Sequence, residues 1–336
     1  MSKYLRKTKV MLLLLVFSLM LPVMVQAAAS APTLELRTSY SNGQARVIIY
    51  GRNLNDLYAY HFFLSHDAGK VKLKQAKSGN AGFGIAPKTA EGKIEFAFTK
   101  VGPIEGLNGN AELAELTFEF VSPGMSQLVL DSAELVDSKL DKRTAKPVLS
   151  QPLFHFADLG GHWSESAVYE AAASGFVSGY SDGTFQPERK VTRAEFTVML
   201  AKSLGSAPGE RTAFADDSGL PEWARGYIAA AAAEGWISGY ADGTFRPDRL
   251  MSREEMTVVA MRAAGLPAAA EAETDFTDDE TISDWASGFV AAAVKQGIVA
   301  GKGDGTFQPG GDSTRAQAVT VIGRLFEKGG VMKDDL

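Results

Sequence analysis

The 336-residue chain has no cysteine and only four histidines. The first absence excludes disulfides and thiol chemistry. The four histidines, His61, His66, His155 and His162, lack the His-Glu-x-x-His spacing of a helical metal site. His61 and His66 read as strand or surface residues, and His155 and His162 as packing or capping groups, so no metal or other cofactor is expected. A Gly-x-Ser-x-Gly elbow is also missing, which removes a serine-hydrolase reading. Gly301-Lys302-Gly303-Asp304-Gly305 mimics a phosphate loop, but the corresponding segments of the sequence lack its glycines, and a turn is expected. The small size of the β region argues against a glycosidase built on paired carboxylates. The chain therefore reads as a non-enzyme.

Positive charge is scarce where a nucleic acid would need it. Residues 151–336 carry 16 basic and 27 acidic side chains, and the whole chain has a net charge of −6. Such a surface repels phosphate backbones, so no nucleic-acid partner is expected. Long apolar runs are confined to the beginning. Lys3, Arg6, Lys7 and Lys9 precede the apolar stretch Met11 to Met24, and Val25-Gln26-Ala27 fits a small-x-small cleavage site. Residues 1–27 read as a cleaved signal peptide. The alternative, an uncleaved anchor, suits a short run interrupted by Pro22 poorly. Without the four leader cations the net charge falls from −6 to −10. The expected product is exported and soluble, with no membrane partner after cleavage.

What the chain has in abundance is repetition. Trp163, Trp223 and Trp285 each stand 19 residues before an Asp-Gly-Thr-Phe turn, at Asp182, Asp242 and Asp304. Eleven residues after each of those aspartates comes Arg193, Arg253 or Arg315. Constant internal spacing at a period of 60 to 62 residues means one unit built three times. Each unit holds an alanine-rich helix, a glycine stop (Gly175, Gly235, Gly297), a turn and a second helix. Each turn offers one acid, too few for a calcium loop, and its Phe is expected in the core. The three tryptophans at the helix starts are also expected to pack inside.

The second helices begin Thr192-Arg193-Ala194-Glu195, Ser252-Arg253-Glu254-Glu255 and Thr314-Arg315-Ala316-Gln317. The outer residues form capping boxes. The arginine is unexpected, because the helix dipole disfavours a cation in the first turn by about 0.3–1 kcal/mol. Two readings fit it. The guanidinium and the helix start could together grip an external carboxylate, or the arginine could be buried against Asp158, Asp216 or Asp278 of a neighbouring repeat. Trp236, which follows a helix-stop glycine beside Ser238, is a candidate to face a sugar ring.

Residues 33–136 have a different period. Arg46–Tyr50, Ala59–Leu64, Lys93–Phe98, Leu116–Phe120 and Gln127–Leu130 read as strands punctuated by Gly, Asn, Pro and Asp. Many short strands without intervening helices imply a sandwich or barrel.

These repeats resemble surface-layer homology modules. The resemblance rests on Phe156-Ala157-Asp158, Phe214-Ala215-Asp216 and Phe276-Thr277-Asp278, on Ser178 to Phe185 with its two counterparts, and on the Thr-Arg-Ala-Glu type motif. It implies an all-α set of three modules (153–206, 211–266 and 273–328) with grooves between them. It also implies location at a bacterial cell wall or surface and binding of secondary cell-wall polysaccharide, typically through a pyruvylated sugar. On that resemblance Arg193, Arg253 and Arg315 would hold the acidic sugar. Ser178, Ser238 and Trp236 would line the grooves, and Asp158, Asp216 and Asp278 would bond hydroxyls. The third repeat departs most, with Ala300, Lys302 and Gln317 where the first has Ser178, Tyr180 and Glu195.

Residues 28–138 resemble a cohesin module, an all-β sandwich of jelly-roll type, on Gly51 to Asp67, Gly92 to Phe98, Ala114 to Phe120 and Leu128 to Leu135. That likeness implies a dockerin-bearing protein partner. Residues 139–152 read as a short linker. The multidomain whole reads as a wall-anchored adaptor; the alternatives are a structural surface-layer or envelope protein and a wall-bound carbohydrate-binding protein.

Overall fold

The computed structural model describes residues 31–145 and 149–328; the signal-peptide reading of residues 1–27 lies outside them. Ten strands come first: β1 Thr33–Ser41, β2 Gln44–Ser65, β3 Val71–Lys77, β4 Phe83–Gly84, β5 Lys88–Ala90, β6 Lys93–Thr99, β7 Leu107–Phe120, β8 Gly124–Asp137, β9 Lys142–Ala145 and β10 Leu149–His155. The long β2 is the spine. Its first part pairs antiparallel with β1 and β7, and its last part, from Leu57, pairs with β6 and β8. Two sequence-predicted strands thus fuse into one. The bend between them sits at Asn53 and Asp56, whose φ values of 51° and 53° suit these residue types. Alternation holds on both sides of the bend. Val47, Ile49, Tyr60, Phe62 and Leu64 point into the core while their neighbours face outward.

Within the region read as a linker, Lys142–Ala145 form β9, and β10 begins at Leu149. β10 pairs with β8 from Leu149↔Leu130 to His155↔Gly124. The chain therefore enters the first repeat directly from the sheet. The junction is packed as a core. Tyr40 and Tyr169 stack at 4.1 Å, and the Phe156 N–H donates to the Tyr169 hydroxyl. Burial pushes both tyrosine pKa values up to about 12. Glu165, 6% exposed, accepts from the backbone N–H groups of Asn42, Gly43 and Gly161. Repeats two and three have Arg225 and Ser287 in place of Glu165, and Ala229 and Ala291 in place of Tyr169. There the preceding loop lies on the helix instead, with Gly209 and Ala269 donating to Gly226 and Gly288. The β1–β2 turn takes that loop's place in repeat one.

Six helices follow: α1 Glu165–Ala173, α2 Arg193–Ser203, α3 Glu222–Ala233, α4 Arg253–Ala263, α5 Asp284–Lys295 and α6 Arg315–Lys328. In each unit the turn phenylalanine, Phe185, Phe245 or Phe307, is fully buried and meets Phe156, Phe214 or Phe276 at 5.5 to 5.6 Å between ring centroids. Gly179, Gly239 and Gly301 are required by that contact. A Cβ there would come within 2.2 to 2.9 Å of the ring. The capping boxes of α2 and α4 are complete.

The all-α expectation for this half is corrected. The extended residues before each cap pair across repeats as antiparallel bridges, Thr192↔Leu250, Ser252↔Asp312 and Lys190↔Thr314. At their centre the Val191 N–H donates to the Ser313 carbonyl, Ser313 to Met251, and Met251 back to Val191. The region is mixed, helices around a small closed ring of strand-like backbone. Helical periodicity hides this, because each contributing segment is only a few residues long and its partner lies 58, 60 or 124 residues away in sequence.

Candidate binding grooves

Each helix start is spent on the neighbouring repeat. Arg193 and Ala194 donate their backbone N–H groups to Arg249 and Pro247. Arg253 and Glu254 donate to Gly311 and Pro309, and Arg315 and Ala316 to Arg189 and Pro187. The third amide goes to the cap hydroxyl of Thr192, Ser252 or Thr314. The amides that would have made an anion site are therefore committed.

The arginines follow the same rotation. Arg193 Nε donates to the Phe245 carbonyl at 3.0 Å and Nη2 to the Ser238 carbonyl at 3.1 Å. Arg253 does so to Phe307 and Ala300 at 2.7 and 3.0 Å, and Arg315 to Phe185 and Ser178, both at 3.0 Å. The three residues are 6 to 8% exposed. Burial lowers their pKa values from the usual arginine value, yet a guanidinium stays charged. No described ion pair reaches them; two carbonyl dipoles per arginine offset the charge instead. This explains a cation in the first helical turn: it answers carbonyls of the next unit. None of the described hydrogen bonds uses Nη1, and Arg193 and Arg253 line open cavities.

Asp158, Asp216 and Asp278 do not pair with the arginines. Each receives two turn amides of its own repeat: Phe185 and Gln186, Phe245 and Arg246, or Phe307 and Gln308. The second member of each pair has φ of 57° to 59°. The aspartate thus holds a left-handed turn residue in place.

Two grooves are open between repeats. One, of about 270 Å³, runs from Arg193 past Ser238, Tyr240, Glu255 and Arg262 to Trp285. The other, of about 420 Å³, joins Arg253, Lys302, Gln317 and Arg324 to Trp163 and Glu188. Each is built from all three repeats. The tryptophans expected inside are instead half exposed: Trp163 60%, Trp223 55% and Trp285 51%. Small residues such as Ala224 and Ala286 take the inner face of the helix start, which leaves the indole ring as a wall of the groove. Trp236 lies elsewhere, in a cleft with Leu204, Ala207 and Ala263.

Sequence reasoning missed the second layer of polar groups. Arg249 Nη1 bonds the Tyr240 hydroxyl at 2.7 Å and both oxygens of Glu255. Arg189 donates through Nε to the Tyr180 hydroxyl at 2.8 Å and through Nη2 to one oxygen of Glu195. The Arg193 guanidinium carbon lies 4.8 Å from the Tyr240 ring centroid, and that of Arg315 lies 4.9 Å from Tyr180. Arg189 and Arg249 recur seven residues after the turn aspartate, a spacing that would have revealed them. Among the described residues no group of three or more His, Asp or Glu side chains could hold a metal ion, and no helix is long and apolar enough to cross a membrane.

The comparisons with known proteins agree with this division. A family model for the S-layer homology domain matches residues 155–197, 213–257 and 275–319. An amylopullulanase of Thermoanaerobacterium thermosulfurigenes is 38% identical over 180 residues, 52% of this chain and 10% of that protein. A cellulosome-anchoring protein of Acetivibrio thermocellus is 33% identical over 165 residues, 46% of this chain and 36% of that protein. The chain thus spans well under two thirds of either relative. A solved cohesin module from a Clostridium perfringens family 33 glycoside hydrolase is 16% identical, covering 38% of this chain and 97% of that one, with a TM-score of 0.32. The C-terminal half of the protein consists of three S-layer homology domains, closed into a ring by their own helix starts and arginines.

Proposed function

We propose that the protein is a non-catalytic anchor: the repeats hold it on a bacterial wall by gripping an acidic wall polysaccharide, and the β half displays a face for a dockerin-bearing protein. The observation that carries the wall reading is the composition of the grooves. A buried guanidinium with an uncommitted edge stands opposite an exposed tryptophan, across a space of sugar size. A carboxylate suits the guanidinium, and a pyranose face suits the indole. The net negative charge of this half gives no long-range attraction, so retention would come from short-range contacts repeated along one polymer. Ser238 contributes a groove wall, and Arg193, Arg253 and Arg315 supply the cations.

The β half offers the outward face of β8, β2 and β6. His61 lies there between Glu95 at 3.8 Å and Glu134 at 3.7 Å, and its ring meets that of Phe63 at 4.1 Å between centroids, tilted by 41°. Beside it, Phe83 and Ile85, 60% and 52% exposed, border a cleft of about 230 Å³. An apolar patch rimmed by charge is the composition of a protein-docking face.

Because the arginines also clamp the repeats, their removal is a poor test of binding. Trp163→Ala with Trp285→Ala is better, since both side chains are half exposed. The double variant should sediment with purified walls at least tenfold less than wild type, roughly the loss of two base- or sugar-sized stacking contacts, with an unchanged melting temperature. Equal retention, or equal binding to walls stripped of polysaccharide, would sink the wall reading. For the β face, Phe83→Asp should abolish capture of a dockerin protein; capture at wild-type level would remove that half of the proposal.

A further inference from the structure

The three repeats share a backbone turn but not the charge pattern around it. Tyr180, Tyr240 and Lys302 occupy one position, since each donates its N–H to Thr184, Thr244 or Thr306 in the same turn. In repeats one and two the tyrosine belongs to a closed cluster with Arg189 and Glu195 or with Arg249 and Glu255. Repeat three replaces all three members together: Lys302 for tyrosine, Gly311 for arginine and Gln317 for glutamate. Here the carboxylate, its partner arginine and the ring between them are all absent, and a new cation stands in the space.

The consequence is a wider and more positive groove. Its volume is about 420 Å³, against about 270 Å³ where Tyr240 and Glu255 are present. Arg253, Lys302 and Arg324 line it. Its one lining carboxylate is Glu188, at the mouth with its side chain 69% exposed and engaged by His162 at 3.1 Å. The Lys302 ammonium is half buried and has no hydrogen bond or ion pair among the described residues. Burial first, then the charges of Arg253 and Lys190, push its pKa down. Like charges held together in a partly desolvated space raise the free energy of the empty groove. An arriving anion relieves that repulsion, whereas at Glu255 it meets a carboxylate already in place.

We infer that the groove of Arg253, Lys302 and Arg324 is the dominant site for the acidic sugar, and that the Arg193 groove contributes weaker, mainly stacking and polar contacts. The inference rests on the wall-polymer reading above and deepens it. The probe is a hexopyranoside carrying a pyruvate ketal, with the neutral sugar as control, titrated calorimetrically into the full chain at low and high salt. Lys302→Tyr with Gln317→Glu restores the side chains that repeat two already accommodates. It should weaken binding about tenfold at low salt, the worth of one charge-assisted contact, and flatten the salt dependence. Trp285→Ala, in the other groove, should weaken it by less than about threefold. Lys302→Gln removes only the charge and should move affinity in the same direction, which covers the case of a double variant that fails to fold. Wild-type affinity in Lys302→Gln, or a larger loss in Trp285→Ala than in either Lys302 variant, overturns the inference. A wild-type protein that binds the neutral sugar as tightly as the ketal, or neither, would instead overturn the wall-polymer reading itself.

Discussion

The two halves bury positive charge by opposite means. In the β half the partly buried groups able to carry positive charge are histidines. His66 and His155 are held with their pKa values lowered by burial, and the Nδ1 of each has no hydrogen-bond partner among the described residues. They are tolerated because they can be neutral. In the repeat half the buried groups are Arg193, Arg253 and Arg315, which cannot shed their charge and are matched instead to six carbonyls of neighbouring repeats. Among the described residues, the sheet core holds apolar and tyrosine side chains and no buried Asp, Glu, Lys or Arg. Three small helical units, each too small to bury a core of its own, use fixed cations to set their order and spacing. Nε and Nη2 of each arginine hold the fold, and none of the described hydrogen bonds uses Nη1.

The sharpest way to break the contrast is at the junction. Tyr169→Ala leaves a cavity beside Tyr40 and Phe156 and should cost about 3–5 kcal/mol. If the junction is a shared core, calorimetry should show both halves destabilised together; a shift in only one of two transitions would make them independent. Next in size, Arg253→Ala strands the Phe307 and Ala300 carbonyls and should cost about 2–3 kcal/mol. All four tryptophans, Trp163, Trp223, Trp236 and Trp285, lie in the repeat half, so urea unfolding followed by their fluorescence reads this loss directly. An unchanged midpoint would show that the carbonyl clamp is dispensable. Thr192→Ala removes one cap bond and should cost about 1 kcal/mol in the same assay.

The smallest effect concerns acid. A histidine whose folded pKa lies below its unfolded value of 6.5 contributes stability that is complete above pH 6.5. That contribution is lost as pH falls through the folded value. The urea midpoint of the β half, followed by circular dichroism, should therefore drop between pH 7 and 5. His66→Phe should flatten the curve. A β half equally stable across that range would remove the contrast between neutral and charged burial.

Much of the architecture was legible because its signals are local. The capping boxes at Thr192 and Ser252, the glycine stops, the buried turn phenylalanines and the alternation along β2 each depend on a few adjacent residues. The grooves were legible only in part. Arg193, Arg253 and Arg315 stood out as cations against a helix dipole, but the carbonyls that answer them are 45 to 137 residues away. The tryptophans were misplaced because large aromatic residues usually bury. Here alanines fill the space beneath the helix starts and leave the indoles outside.

The sequence by itself determined three equivalent units, their helices and turns, a β-rich partner and the absence of thiol chemistry, since period, composition and turn chemistry are written in neighbouring residues. Only the tertiary structure decided that the units close on one another through Val191, Met251 and Ser313, that β10 runs straight into the first of them, and that Lys302 lines the larger groove. Closure of a ring and the charge of a groove arise from residues brought together across repeats, and no local pattern encodes which of them will meet.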